Sequence, residues 1–454
     1  KELSEDKPIK YLEPLQGEVM VYPLSQHIGA PAKPLVAKGD HVLKGQIIAE
    51  AGGFISANVL SSVSGTVKGI ESKLVANGAM VQSILVENDG EEEAIEGFGT
   101  DRDASKLSKE EIRQIVKDAG IVGLGGAGFP THVKLTPKDE NAIDYVIVNG
   151  AECEPYLTSD YRTMIERPEQ IIGGLKVMLQ LFDNAKGVIG IENNKPEAIK
   201  VLSEMVKDIP NMEVAELLMK YPQGAEKQII YAITKREVPS TTPPSLPADV
   251  GCIVDNVATV MAIGDAIFES KPLMDRVITV SGGAVKNPGN YQMKIGMNIA
   301  DLMDAIGGFS VEPAKFIAGG PMMGPSMYTL DVASTKTTSG LLCFTKEEAY
   351  IPPERNCIRC GKCVEHCPMG LMPFELNQLA IKGLAEEFGN LHGMDCIECG
   401  SCSFECPAKR QLAQSIRAMK KIEGARRAAA AAAAPATARK LRREIIIMKT
   451  LLLF

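Results

Sequence analysis

Eight cysteines carry the most specific chemistry in this 454-residue chain. Cys357, Cys360, Cys363 and Cys367 are followed by Pro368, and Cys396, Cys399, Cys402 and Cys406 by Pro407, so the pattern C-x2-C-x2-C-x3-C-P occurs twice. That spacing sets three thiolates around one face of an iron–sulfur cube and sends the fourth elsewhere. Two [4Fe-4S] clusters are the expected cargo, and one-electron transfer is their chemistry.

In two-cluster ferredoxins the fourth cysteine of each run ligates the other cluster. One cluster is therefore assigned to Cys357, Cys360, Cys363 and Cys406, and the other to Cys396, Cys399, Cys402 and Cys367. Structural zinc also uses paired C-x2-C, and cysteines can form disulfides. Two full copies ending in Cys-Pro favour clusters over both.

A second stretch offers a different chemistry. Gly123, Gly125, Gly126 and Gly128, followed by Phe129 and Pro130, put four glycines in six residues, so that backbone N–H groups can approach a phosphate or a flat ring. Residues 145–148 read as a short apolar strand running into Asn149, Glu152 and Glu154. A second strand, 187–191, ends at Glu192, and a helical pattern covers 168–181. This strand–helix–strand rhythm predicts a doubly wound sheet, which binds ligands at the carboxyl ends of its strands.

These segments carry a resemblance. The GxGGxGFP loop followed by Lys134, then VNGAECEP at 148–155 with Asp160 downstream, resembles the flavin- and NADH-binding subunit of respiratory complex I. YPQGAE at 221–226 and NVAT at 256–259 resemble that family's third and fourth flavin-site segments. Leu124 stands where the complex I subunit usually has arginine, and Ala151 and Ala225 replace acidic residues. In the GLGGAGFPT version of the loop, in GGPMMG at 319–324 and in KTTSGLL at 336–342, the chain is similar instead to the RnfC family, the peripheral subunits of membrane-bound ferredoxin:NAD oxidoreductase complexes. That resemblance covers nearly the whole chain.

The resemblance implies FMN and NAD(H) beside the two clusters. It sets Gly123, Gly125, Gly126 and Gly128 along the flavin and nicotinamide pocket and Lys134 against phosphate charge. Asn149, Glu152, Tyr221, Gly224 and Asn256 would hold FMN, with Glu154 in the same cofactor site; Phe129 would stack on NADH and Glu226 meet its nicotinamide end. A hydride carrier moves two electrons and a cluster one, so a flavin between them explains both motifs. Hydride passes directly between the cofactors, and no side chain is expected to be catalytic. Implied partners are integral membrane and cluster-bearing subunits of the same complex, which carry the ion translocation, and ferredoxin as direct or indirect electron donor. The implied location is peripheral, on the cytoplasmic face of the cell membrane. Two other functions fit parts of the chain: a cobalamin reductase of the propanediol-utilisation type, and a non-enzymatic iron–sulfur adaptor with a degenerate flavin site. The intact glycine loop and Glu226 argue against the adaptor.

Composition is compatible with this reading. A hydrophobic content of 45% and a charged content of 23% are those of an ordinary globular protein, and the length suggests about three domains. No apolar run approaches the roughly 20 residues of a membrane span. Cys153, Cys252 and Cys343 are scattered singly, as buried thiols of a reducing compartment are. His27, His41, His132, His366 and His392 show no ligand spacing. The net charge of −8 is uneven: from Pro407 onward 12 Lys and Arg face two Glu, a net +10, which leaves −18 for residues 1–406. An acidic body argues against nucleic acid, and a basic tail suits an anionic surface or acidic partner.

The expected fold is multidomain α/β, in five segments. Residues 1–95 form a β barrel-sandwich hybrid with an N-terminal extension; VAKGDHVLKGQII at 36–48 resembles biotinyl and lipoyl domains, without a modifiable lysine in 51–59. The acidic stretch 87–103 reads as a linker. Residues 96–270 form a Rossmann-like FMN/NADH-binding domain, opened by a capping box at Ser108 and Glu111. Residues 271–350 form a β-grasp module of the soluble-ligand-binding type, expected to be scaffold. Residues 351–425 form a helical two-cluster ferredoxin domain, in which Phe374, Leu376, Leu379, Ile381 and Leu384 make an apolar stripe. Residues 426–454 form a basic tail with an alanine run that favours helix.

Overall fold

Alternating apolar and polar residues build the first sheets. After β1 (Ile9–Leu12), which pairs far along the chain, come β2 (Val19–Pro23), β3 (Lys33–Pro34), β4 (His41–Val42), β5 (Ile47–Glu50), β6 (Val59–Leu60), β7 (Gly65–Leu74) and β8 (Met80–Asn88). They form two sheets, ordered β2-β8-β7-β4 and β3-β5-β6. Met20 and Tyr22 on β2 are buried two residues apart around half-buried Val21, whereas β8 is buried on both faces from Ser83 to Val86. The acidic stretch after this sandwich is no free linker: Lys44 donates to the Glu93 carbonyl and Ile95 to the Lys44 carbonyl, which pins it to the module. The computed structural model describes residues 1–240 and 245–433.

The expected capping box is present, with Ser108 and Glu111 each capping the other's amide at the start of α1 (Lys109–Asp118). There follow α2 (Thr131–Lys134), β9 (Tyr145–Gly150), α3 (Ser159–Glu166), α4 (Pro168–Leu179), β10 (Lys186–Glu192), α5 (Pro196–Val206), β11 (Met212–Leu217), α6 (Glu226–Thr234), β12 (Cys252–Asn256) and α7 (Val257–Phe268). The strands form one parallel sheet, β11-β10-β9-β12. Val146, Ile147 and Val148 and then Val188, Ile189 and Ile191 are buried, as strands covered on both faces must be. α4 and α7 cross closely because Gly174 has no Cβ; one there would overlap the Val260 carbonyl.

β13 (Asp275–Ser281), β14 (Gly289–Lys294), α8 (Ile299–Ala305), β15 (Lys315–Ala318), β16 (Ser326–Met327) and β17 (Gly340–Phe344) complete the β-grasp module. Its sheet runs β1-β14-β13-β17-β15-β16, so the N-terminal extension becomes its edge strand, parallel to β14. Buried Asn290 fixes this segment by donating to the carbonyls of Ser4 (2.8 Å) and Lys7 (3.2 Å). One continuous apolar core runs from Met20 to Cys343, through all three modules.

Lys1–Tyr350 and Ile351–Phe454 are separate compact units. The second contains α9 (Lys362–Glu365), α10 (Pro373–Ile381), α11 (Ala385–Asn390), α12 (Ser401–Phe404) and α13 (Leu412–Ala433). The expected apolar stripe is only partly core. Leu376 is sealed, but Ile381 is 65% and Leu384 37% exposed, because α10 stops at Ile381 and Gly383, at φ +72°, redirects the chain. The first alanines of the tail continue α13, and the rest of the 426–454 segment lies outside the described residues. No helix among the described residues is long and apolar enough to cross a membrane.

Lys336 joins the three modules of the first unit. Fully buried, it donates to the carbonyls of Asn58 and of Gly120 (2.6 Å), and its backbone N–H donates to Gln26 Oε1 (3.0 Å). Burial pulls its ammonium down to about 7. Lys336→Met leaves two buried carbonyls without a donor and is expected to cost about 1–3 kcal/mol in chemical denaturation. The unfolded chain keeps a proton that folded Lys336 has released, so the wild-type advantage should grow as pH rises from about 7 to about 10. A flat or falling trend would refute this placement of the charge.

Candidate functional site

The parallel sheet reverses its winding between β9 and β12, since β10 and β11 extend to one side of β9 and β12 lies on the other. The crevice at the carboxyl ends of such a pair is where doubly wound sheets take ligands. Asn149 of β9 and Asn256 of β12 are paired in register there. The glycine loop rests on them: a Cβ at Gly125 would lie 2.9 Å from Asn256.

The loop is held at its shoulders and open at its apex. Leu124, 2% exposed, donates to Thr259 Oγ1 (2.9 Å) and accepts from Arg276 Nη2 (3.1 Å), while the Gly123 N–H donates to the Phe129 carbonyl (2.8 Å). Gly128 is buried against Thr337, with φ +72°, and Phe129 is half-buried. Gly125, Gly126 and Ala127 are exposed, and their amides donate to no protein group among the described residues. Nothing stands within 4 Å of where a Gly126 Cβ would be. Consecutive free amides over open space form a cradle for a phosphate or a flat polar ring.

The polar side chains predicted for this site build its floor. Asn149 Nδ2 donates to the Gly224 carbonyl (2.7 Å), and its Oδ1 accepts from the Ala151 amide (3.1 Å). Gly224 fits so closely that a Cβ would overlap the Ala151 carbonyl; Tyr221, three residues earlier, is half-buried. Asn256 Oδ1 caps α7 through the Ala258 amide (2.9 Å), and its Nδ2 donates to Asp160 Oδ2 (2.6 Å). Buried Glu152 accepts from the amides of Asp160 (2.9 Å) and Tyr161 (3.3 Å), closing the N-terminus of α3.

Two residues differ from expectation. Lys134 does not extend a free charge toward a phosphate. Its ammonium donates to the Val254 carbonyl (2.8 Å) and pairs with Asp255 (3.2 Å) and Glu226 (3.6 Å). Burial alone would lower its pKa, but the two carboxylates outweigh burial and hold it above the usual lysine range. The reason is Asp255, sealed in the core and needing a cation. Glu154 turns to the β-grasp module, where its carboxylate accepts from the amides of Met322 (3.1 Å) and Met323 (2.9 Å). Gly320 admits it, since a Cβ there would overlap the carboxylate. Sequence reasoning gave no role to Asp160, Asp255, Thr259 or Arg276. Asp160 and Thr259 lie in the quoted segments, but Arg276 sits in an ordinary strand pattern without a signal.

In the second unit the two cysteine runs adopt matching backbones. Arg359 and Glu398 take φ +55° and +59°, and Gly361 and Gly400 both take +80°. Cys357 Sγ accepts from the Arg359 amide (3.4 Å) and Cys396 Sγ from the Glu398 amide (3.3 Å). Cys357, Cys360, Cys363 and Cys406 line one pocket with Ile358, Phe374 and Leu412. Cys367, Cys396, Cys399 and Cys402 line another with Leu371, Leu376 and Ile416. Four cysteines line each pocket, the number of protein ligands that a cubane cluster takes.

Four families match the chain: the RnfC barrel-sandwich hybrid domain over residues 1–91, the Nuo51 FMN-binding domain over 116–265, the SLBB domain over 277–326 and the 4Fe-4S dicluster domain over 356–410. The C subunit of the proton-translocating ferredoxin:NAD(+) oxidoreductase complex of Clostridium ljungdahlii is 46% identical over 421 residues, covering 92% of this chain and 91% of that protein. Its counterpart from the Na(+)-translocating complex of Acetobacterium woodii is 46% identical over 407 residues, covering 89% and 90%. The C subunit of the ion-translocating oxidoreductase complex of Rhodobacter capsulatus is 40% identical over 358 residues, covering 78% and 68%.

The open apex yields a test that separates binding from folding. Gly126→Ala meets open space, so the melting temperature should stay unchanged while FMN affinity falls about tenfold or more, about 1.4 kcal/mol, in a fluorescence titration. Unchanged affinity would remove the apex from the binding surface.

Proposed function

We infer function from membership: the chain belongs to the RnfC family, the C subunits of ion-translocating ferredoxin:NAD(+) oxidoreductase complexes. It is an electron-transfer subunit with FMN and two [4Fe-4S] clusters as cofactors and NAD(H) as substrate. When bound, FMN exchanges hydride with NAD(H) and single electrons with the clusters, which carry electrons one at a time. The observation that carries this reading is that an open glycine cradle and two thiol-lined cavities occur in one chain.

The finer roles are proposals. The amides of Gly125, Gly126 and Ala127 face the flavin, with Gly123 and Gly128 shaping the loop ends. Asn149, Glu152, Tyr221, Gly224 and Asn256 form the floor, and Phe129 and Glu226 meet the nucleotide. Lys134 holds Glu226 in place, and Glu154 latches the flavin segment to the β-grasp module; the hydrogen bonds of both support this. The segments 1–95, 96–270, 271–350, 351–425 and 426–454 are read as its modules. Ferredoxin is the direct or indirect electron donor, other cluster-bearing and integral membrane subunits are the partners, and the location is the cytoplasmic face of the membrane. Co-purification with integral membrane subunits is expected; corrinoid reduction by the purified chain would instead favour a cobalamin reductase. A chain with two clusters that binds no FMN would be an adaptor.

The crossed ligand sets follow the cysteines that share each cavity. Cys367→Ser should impair the cluster built mainly by Cys396, Cys399 and Cys402, and Cys406→Ser the one built by Cys357, Cys360 and Cys363. Each variant should lose about half of the bound iron, four of eight atoms if each cluster is a cube. Combining Cys367→Ser with Cys396→Ser should cost no more iron than either alone. Further loss in that double variant would mean that the fourth cysteine serves its own run.

A further inference from the structure

Asp160 is a charged residue of the flavin crevice to which neither the family likeness nor the ligand floor gives a task. It is the second residue of α3, its amide held by Glu152. One carboxyl oxygen accepts from Asn256 Nδ2 at 2.6 Å. The other makes no hydrogen bond to protein among the described residues, yet it is not among the polar atoms sealed from solvent without a partner. Asn256 in turn carries Gly125, so a continuous path of contacts leads from this carboxyl to the exposed apex of the glycine loop.

The chemistry at that apex needs a proton. Reducing NAD(+) to NADH consumes two electrons and one proton, and cluster-borne electrons arrive without protons. That proton can enter from water at the exposed apex, but the negative charge that arrives with the electrons is a separate load, which a proton bound nearby can offset. Of the two carboxyls at this crevice, Glu152 is held by two helix amides, whereas one oxygen of Asp160 has no protein donor among the described residues.

We propose that Asp160 is a proton-binding residue of this site: while the reduced flavin takes from water the one proton that later leaves in the hydride, the Asp160 carboxylate binds a second proton from solvent that offsets the added negative charge, and returns it to solvent when hydride passes to NAD(+). The proposal rests on the crevice being the flavin site. No bond other than the carboxyl O–H forms or breaks at Asp160.

The charges around Asp160 fit that task. Burial first, and then Glu152 from the segment after β9, push its pKa well above the ordinary carboxylate range; Asn256, Arg276 of β13 and Lys1 of the N-terminal segment pull the other way. Negative charge arriving at the crevice raises the pKa of a carboxyl further, so reduction draws a proton in. Arg276 is fixed by the carbonyls of Leu124 (3.1 Å) and Thr338 (3.1 Å), and Lys1 by that of Glu152, so neither is free to form a short pair with Asp160.

The test uses the full chain loaded with FMN and clusters. Asp160→Asn keeps an acceptor for Asn256 and is expected to retain flavin, while its flavin midpoint potential depends less steeply on pH across the neutral range than in the wild type; Asp160→Glu restores the slope. Redox difference infrared spectra of the unmutated protein should show a protonated-carboxyl band that grows on reduction and is missing in Asp160→Asn. A wild-type slope in the flavin-loaded Asn variant, or a wild-type spectrum without such a band, overturns the proposal. If the Asn variant loses flavin, the wild-type spectrum decides alone. Wild-type protein that takes up no FMN refutes the flavin reading itself, a separate outcome.

Discussion

The flavin crevice depends on how Leu124 is pinned. A run of glycines has no side chains to hold it, and a loose loop would lose conformational entropy each time a ligand ordered it. Leu124 removes that loss. Its side chain is in the core, its N–H donates to Thr259 of α7 and its carbonyl accepts from Arg276 of β13. Two modules thus grip one residue, and the next three amides are presented from a rigid base. The residue that departs from the complex I pattern is therefore an apolar anchor, and an exposed cation there would have to leave the core.

What was legible in the sequence was what local pattern controls. The glycine loop, the capping box at Ser108, the strands that run into Asn149 and Glu192 and the doubled cysteine runs all depend on neighbours a few residues away. What was illegible depends on distant partners. Lys134 reads as a free cation until Asp255, 121 positions on, is seen buried beside it. Glu154 reads as a ligand until the amides of Met322 and Met323 close over it. The N-terminal segment gives no sign that its strand belongs beside β14, because a parallel edge pairing between residues some 280 apart leaves no local periodicity. The stripe through Ile381 and Leu384 was misread for the opposite reason: a turn at Gly383 breaks a helical period that the spacing alone continues.

Several buried charges lie where modules meet, and their energetics differ from those of the apolar core. Lys336 spans three modules, Arg276 joins the β-grasp strand to the glycine loop, and Lys195, 1% exposed, pairs with Glu5 of the N-terminal segment over the ring of Tyr161. Removing an ion from water costs several kcal/mol, so such contacts gain little over an arrangement in which both partners are apolar, although removing one partner alone is destabilising. A wrongly docked module, however, would strand one of them unpaired, at roughly 3–5 kcal/mol. Their effect is to select one arrangement of a shared core that apolar packing alone would permit in several.

The cluster unit is governed by a different balance. Its apolar residues form two small groups, one around Leu412 and one around Leu376 and Phe388, and the cysteines themselves are part of both. Cores of that size give a small domain little margin, and metal ligation is the usual supplement. Because each cavity draws cysteines from both runs, neither ligand set is complete until the 28 residues between the runs have folded back. Ligation and folding are then one equilibrium, in which binding free energy appears as stability. A simple tandem arrangement would let each run close on its own cluster before the intervening residues fold; the crossed one requires both runs to be in place before either ligand set is complete.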